Sequence, residues 1–340
     1  MQRRTLLFAA LGLAMAGGGA RWLRDSADHP ATSPRAVVAD LVFGTTVTLQ
    51  ARHEDLAIAH VALTAAMTAL KEIDALMSLY RPDSQVSQLN RRGKIDGPDA
   101  RLVHVLHTAR HLARASDGAF DVTVQPLWEA HASGSDAVAV RGRVNWRKLL
   151  VSDQQVALAD AGMAITLNGI AQGYAVDRAM QALRQHGIRD ALLDTGEFGA
   201  LGLREDGSPW ALGIRHPRKR ASTPDSDPDA YAEVIALDGR CMATSGDYAT
   251  RFRAPASHSF SPHHIFDPRT GQSPPELASV TVLAPTGILA DGLATACMVL
   301  GAKKSLALTA RYQQVDILCI DKTGRTTRSA GFPPALLMMS

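Results

Sequence analysis

Apolar residues recur at helical spacing in four stretches of the chain. From Asp55 to Met77, the residues Ile58, Val61, Leu63, Ala66, Leu70, Ile73 and Met77 fall largely on one side of a helix. Val176, Met180 and Leu183 repeat the pattern between Tyr174 and His186, and Gly187 stands where a helix stop is expected. Ala100 to Ala115 reads as a third helix closed by Asp117 and Gly118, and a fourth begins near Ile288 or Leu289 and ends at Gly301. Strand patterns cover Val37 to Leu49 with a break at Gly44, short pieces of a meander within Val144 to Ile165, Ala191 to Leu193, and Trp210 to His216. Further strands are read at Ser279 to Leu283 and at Val315 to Ile320, the last before a loose C-terminal tail. Val234 to Phe252 reads as a strand pair with ATSGDY at its turn, while Ser78 to Gly93 and Gly134 to Arg143 read as loops. No internal repeat is apparent.

The stretch from Ile165 to Gly202 organises the rest. Gly169 and Gly173 precede a helix, and Thr195, Gly196, Glu197 and Gly199 break the strand that follows it. Glycine lets a ligand approach the backbone closely. A loop feeding a helix N-terminus also gathers unpaired N–H groups and the positive end of the helix dipole. The stretch is therefore either a phosphate seat or an ordinary packing turn. Neither G-x-G-x-x-G nor a Walker A loop is present.

Two carboxylates stand out against their surroundings. Asp121 alternates with Thr123 in the apolar run Ala119 to His131, which reads as a buried strand. Asp121 is then either solvated at a strand end or committed to a hydrogen-bond network. Asp291 lies at the start of the last helix with Thr295 four residues later on the same face. The pair is either a helix cap with a neighbour or an oxygen-only seat for Mg²⁺. His258, His263 and His264 lie close together, but no H-x-x-x-H or carboxylate-completed set accompanies them.

Composition narrows the classes. At 340 residues, 46% hydrophobic and 20% charged, the chain is one large or two ordinary globular domains. A net charge of +3 with scattered basic residues does not suggest nucleic acid. The one basic cluster, Arg215, Arg218, Lys219 and Arg220, runs into a polar Pro217 to Ala230 segment that reads as a mobile surface insertion. Cys241, Cys297 and Cys319 are too far apart in sequence for a metal cluster. Arg3 and Arg4, the apolar run Leu6 to Ala16 and the small residues Gly17 to Ala20 read as an export signal over residues 1–26, with a linker over 27–36. RRTLLF resembles a twin-arginine signal, with plain Sec export as the rival route, so a periplasmic location is expected, with no stable membrane span after processing.

Five segments in order resemble the ApbE family of FAD:protein FMN transferases: MSLYRPDSQVSQLN, GAFDVTVQPLW, LNGIAQGYAVD, then ATSGDY with HHIFDPRTG, and SVTVLAPTGILADGLATA. The resemblance implies a single α+β catalytic domain over residues 37–335, with mixed or antiparallel sheets and packed helices. It implies Mg²⁺-dependent transfer of FMN from FAD to a Thr or Ser hydroxyl of a partner flavoprotein, with release of AMP. Metal positions fall on Ala171, Asp291, Ala294 and Thr295. Flavin-binding positions fall on Met77, Tyr80, Asp121, Thr123, Gly169, Gln172, Asp177, Glu197 and Ile265, and catalytic positions on His264 and Asp267. Gln172 replaces the family's usual Lys, and Gly196–Glu197 its usual Gly-Gly pair. LNGIAQGY and DTGEFGALG resemble the subgroup tied to nitrous oxide reductase maturation, which implies a membrane electron-transfer protein facing the periplasm as acceptor. Hydrolysis of FAD to FMN and AMP, or a non-catalytic periplasmic flavin carrier, are the rival readings.

Overall fold

A computed structural model describes residues 34–219, 230–248, 250–252 and 262–336, together with the backbone of residues 20–22. The export signal through residue 19, most of the linker, the insertion over 220–229 and His258 lie outside the described residues.

A hairpin opens the main body: β2 (Arg35–Val42) turns at Phe43 and Gly44 into β3 (Thr45–Arg52). Asp55 then caps α1 (Leu56–Met77) by accepting the Ala57 N–H at 2.8 Å. Next come α2 (Gln85–Arg92), β4 (Lys94–Asp96), α3 (Ala100–Ala115), α4 (Gln125–Ser133), α5 (Ala137–Val140), β5 (Leu149–Val151) and β6 (Gln155–Leu158). The central stretch supplies α6 (Ala171–Gln185), β7 (Asp190–Asp194) and β8 (Phe198–Leu201), followed by β9 (Ala211–Arg215), β10 (Tyr231–Ala236) and β11 (Cys241–Gly246). The chain ends with β12 (Leu277–Ala284), α7 (Gly287–Leu300), α8 (Ala302–Thr309), β13 (Asp316–Asp321) and β14 (Thr326–Arg328).

Eight strands form one antiparallel sheet in the order β14-β13-β12-β11-β8-β7-β3-β2. On one face lie α1, α6 and α7. Leu63, Leu70 and Ile73 of α1 are sealed in this core, each contributing about 2 kcal/mol of apolar burial. Although α1 is long and apolar enough to cross a membrane, its apolar side packs against β2, β3 and α6. A second core, with Phe198, Trp210, Leu212, Ile235 and Leu283, fills the other face beneath a small sheet of β9, β10 and β1 (Ala20–Trp22). Because both faces of the large sheet are covered there, every residue of β12 is buried. A three-stranded sheet, β4-β6-β5, completes the molecule. The α+β architecture agrees with the expectation from sequence.

Five local expectations are corrected. Residues 85–92, read as loop, form α2, because Ser84 caps its start and Gly93 at φ +75° closes it. The Ala119 to His131 segment is no strand: Asp121 caps a 3-10 turn over Val122–Val124, and α4 follows. Gly134 to Arg143 contains α5 and a 3-10 turn instead of plain loop. ATSG lies inside β11 instead of at a turn, and β10 and β11 belong to different sheets. The supposed loose tail contributes β14.

Candidate functional site

Helices α6 and α7 cap one another. The Gly173 N–H, in the first turn of α6, donates to Asp291 Oδ2 at 3.0 Å. In return, Gly287 N–H and Ile288 N–H at the start of α7 donate to Asp177 Oδ1 and Oδ2 at 2.6 and 2.9 Å. Neither helix has a side-chain cap from its own N-cap residue, so each takes its cap from the other. The crossing is closed to side chains. A Cβ on Gly173 would sit 2.1 Å from Gly287 O, and one on Gly287 would sit 2.3 Å from Gly173 O. This contact carries Asp291 and Thr295, one helical turn apart, to the wall of a cleft.

That cleft encloses roughly 1410 Å³ including its open mouth. Gly169, Gln172, Glu197, Asp291 and Thr295 line one part of it, while Tyr80, Asp121, Trp128, His264 and Ile265 line the rest. A Cβ at Gly169 would meet Thr295 Oγ1 at 2.7 Å, so glycine is required for that approach. Tyr80 is 63% exposed. Its loop is held by the Arg81–Asp74 ion pair and by its own N–H on Ser78 Oγ. Asp121 is committed to a network, accepting from Thr123 N–H, Thr123 Oγ1 and Trp146 N–H. Thr123 is fully buried and holds Asn145 N–H; it supports the wall without lining it.

Other expected residues stand back from the cleft. Met77, Ala171 and Ala294 are buried and do not line it. Asp177 faces a separate cavity with His104, Arg184 and Cys241, and its carboxylate is occupied by α7. Asp267 ties its own turn together by accepting from Arg269 Nε and Nη2, each at 2.8 Å, and does not line the cleft.

The cleft's charges are unbalanced. Among its described lining residues there is no Lys or Arg. Asp291 Oδ1 and Glu197 Oε1 have no hydrogen-bond partner among the described residues, whereas Glu197 Oε2 accepts the Thr244 N–H at 3.3 Å. Burial pushes the Glu197 carboxyl well above its ordinary range, and the nearby Asp291 charge adds to the rise. Asp291 is raised in the same way by burial, and Asp177 is raised to about 6 by burial despite its two N–H donors. Hydroxyl groups complete the wall, with Ser245 Oγ 3.3 Å from Thr295 Oγ1. Hard oxygen donors around uncompensated buried charge fit a divalent cation. The mixed aromatic and polar lining fits a large planar ligand bearing phosphates. His264 meets Thr250 O through Nδ1 at 3.4 Å. With Nδ1 protonated, its Nε2 keeps a free lone pair. Burial holds the imidazole below its ordinary pKa, neutral near pH 7.

Several contributors escaped the sequence reading. Asn90 of α2 clamps both backbone groups of Ile165, with Nδ2 on its O at 2.8 Å and Oδ1 on its N–H at 2.7 Å. It thereby fixes the start of the central stretch. The mutual capping had a readable signal in the paired G-x-x-x-D spacings GYAVD and GILAD. Thr244, Ser245 and Tyr248 of ATSGDY also line the cleft, a role that a turn reading of this segment hides and that its place in and just after β11 explains.

Comparison with known proteins gives a consistent picture. A FAD:protein FMN transferase of Treponema pallidum is 32% identical over 301 residues, covering 80% of each chain. One from Haemophilus influenzae is 31% identical over 282 residues, covering 77% of this chain and 79% of that one. The crystal structure of the ApbE protein from Thermotoga maritima superposes with a TM-score of 0.76 at 25% identity, covering 88% of this chain and 98% of that one. The apo flavinyl transferase ApbE of Pseudomonas stutzeri gives 0.72 at 30%, covering 88% and 95%. The ApbE family pattern matches residues 43–319, and the chain belongs to the ApbE family.

Proposed function

We propose that this protein transfers FMN from FAD to a Thr or Ser hydroxyl of a partner flavoprotein, with Mg²⁺ held at Asp291 and Thr295. The observation that supports this most is the meeting of a cation seat and a neutral histidine on one aromatic-walled cleft. In the balanced reaction the acceptor Oγ bonds to the FMN phosphorus of the pyrophosphate. The bond from that phosphorus to the bridging oxygen breaks, and AMP leaves. Bound Mg²⁺ would neutralise phosphate charge as it develops. His264 Nε2 takes the hydroxyl proton, and its lowered pKa keeps it unprotonated for that task. Gly169 lets the Thr295 hydroxyl pack against the backbone at the cation seat, while Tyr80 at the mouth and Ile265 in the wall offer surfaces to the ring system. Asp177 acts through α7, which it holds in place.

The names of the curated relatives support flavin transfer. The N-terminal RRTLLF segment supports export by the twin-arginine route to the periplasm, where the acceptor would be a membrane electron-transfer protein. The test is product analysis with FAD and Mg²⁺, with and without an acceptor domain. Transfer gives AMP in step with acceptor modification. AMP accompanied by free FMN in equal amount, whether or not acceptor is present, would establish the hydrolytic reading instead.

A further inference from the structure

We infer that Glu197 is a second carboxylate ligand of the cation seat, so that this protein loads its divalent cation before the flavin nucleotide arrives. The inference rests on the cation reading of Asp291 given above. Asp291 is only 4% exposed and lines the cleft, and its Oδ1 has no hydrogen-bond partner among the described residues. Glu197, on the turn between β7 and β8, lines the same cleft with Oε1 likewise unpartnered.

Strand β11 brings the two together. The Thr244 N–H holds Glu197 Oε2 at 3.3 Å, and the next residue, Ser245, places its Oγ 3.3 Å from Thr295 Oγ1. Thr295 stands one turn beyond Asp291 on α7. Glu197, Thr295 and Asp291 are thus tied to one corner. Each carboxylate has one oxygen fixed by a main-chain N–H and the other left for the cleft.

A buried carboxylate, Asp291, and a half-buried one, Glu197, repel one another in a cleft whose described lining holds no lysine or arginine. A cation between them removes that repulsion and satisfies both free oxygens. A hard divalent ion matches carboxylate and hydroxyl donors. With one carboxylate, such an ion depends on substrate phosphates for most of its charge balance; with two, the protein alone balances it.

The test is Mn²⁺ titration of the flavin-free full chain at pH 7.5, followed by electron paramagnetic resonance of the free ion. Wild type binds one Mn²⁺ without flavin. Glu197→Gln, which keeps the shape and an acceptor for Thr244, weakens binding at least tenfold, and Asp291→Asn abolishes it. Affinity in Glu197→Gln within twofold of wild type overturns the inference. If Asp291→Asn still abolishes binding in that case, the Asp291 seat stands alone; if it also binds normally, the cation reading falls too. Wild type that binds no Mn²⁺ without flavin also overturns the inference and leaves the transfer reaction to its own product assay. Melting provides a second readout. In chelator Glu197→Gln melts above wild type, because a repelling buried charge is gone. With Mg²⁺, wild type gains more in melting temperature than the variant. Equal Mg²⁺ shifts in both proteins contradict ligation by Glu197.

Discussion

His263 and His264 are adjacent and do different things. His263 is fully buried on Pro274 O, and burial lowers its pKa to about 4. The unfolded chain therefore binds a proton near pH 6.5 that the native state refuses, and stability must fall as pH drops from about 6.5 toward 4. Urea melts at pH 7 and pH 5 should show wild type losing roughly 2 kcal/mol more than His263→Gln; equal losses would show that His263 carries no such linkage. His264 lines the cleft, where a neutral imidazole is chemically useful. Sequence alone singled out His264 only through its place in HHIFDPRTG. What separates the two is a change in burial and partner that spacing does not encode. Asp121 shows the converse. Its two possible roles were visible from its apolar setting, and three hydrogen-bond donors decide between them.

The two crossed helix starts are the device that makes the site. Gly173→Ala should destabilise the fold by about 2 kcal/mol or more through overpacking against Gly287 O. Gly142→Ala, with nothing within 4 Å of its would-be Cβ, should stay within about 0.5 kcal/mol of wild type. Thermal or chemical melts check both, and equal effects would mean that the crossing is not tight. Asp177→Ala leaves two N–H groups without their acceptor and should cost roughly 2 kcal/mol. It should also weaken cation binding through displacement of α7, although Asp177 does not line the cleft. Unchanged stability and affinity would remove its positioning role. Long helices with a clear period, α1 and α3, were legible because their apolar faces meet one core. Helix α2 was not, because QVSQLNRR is short and carries only two apolar residues, Val86 and Leu89; its caps and packing define it. The strand pairing of β10 and β11 was also hidden, since neighbours in sequence went to different sheets.

At the scale of the molecule, the large sheet and its helical layer bring five ordered segments to one cleft, over a chain span that no local pattern could reveal. Substituting Asp291→Ala should abolish Mg²⁺-dependent AMP release while circular dichroism stays that of wild type; full turnover would remove the metal assignment. The most direct measurement is the intact mass of an acceptor domain incubated with this protein, FAD and Mg²⁺. Its mass should rise by one FMN less one water, on a single Thr or Ser, with one AMP released per modified chain. AMP released from FAD while the acceptor's mass stays fixed would contradict transfer of FMN to protein.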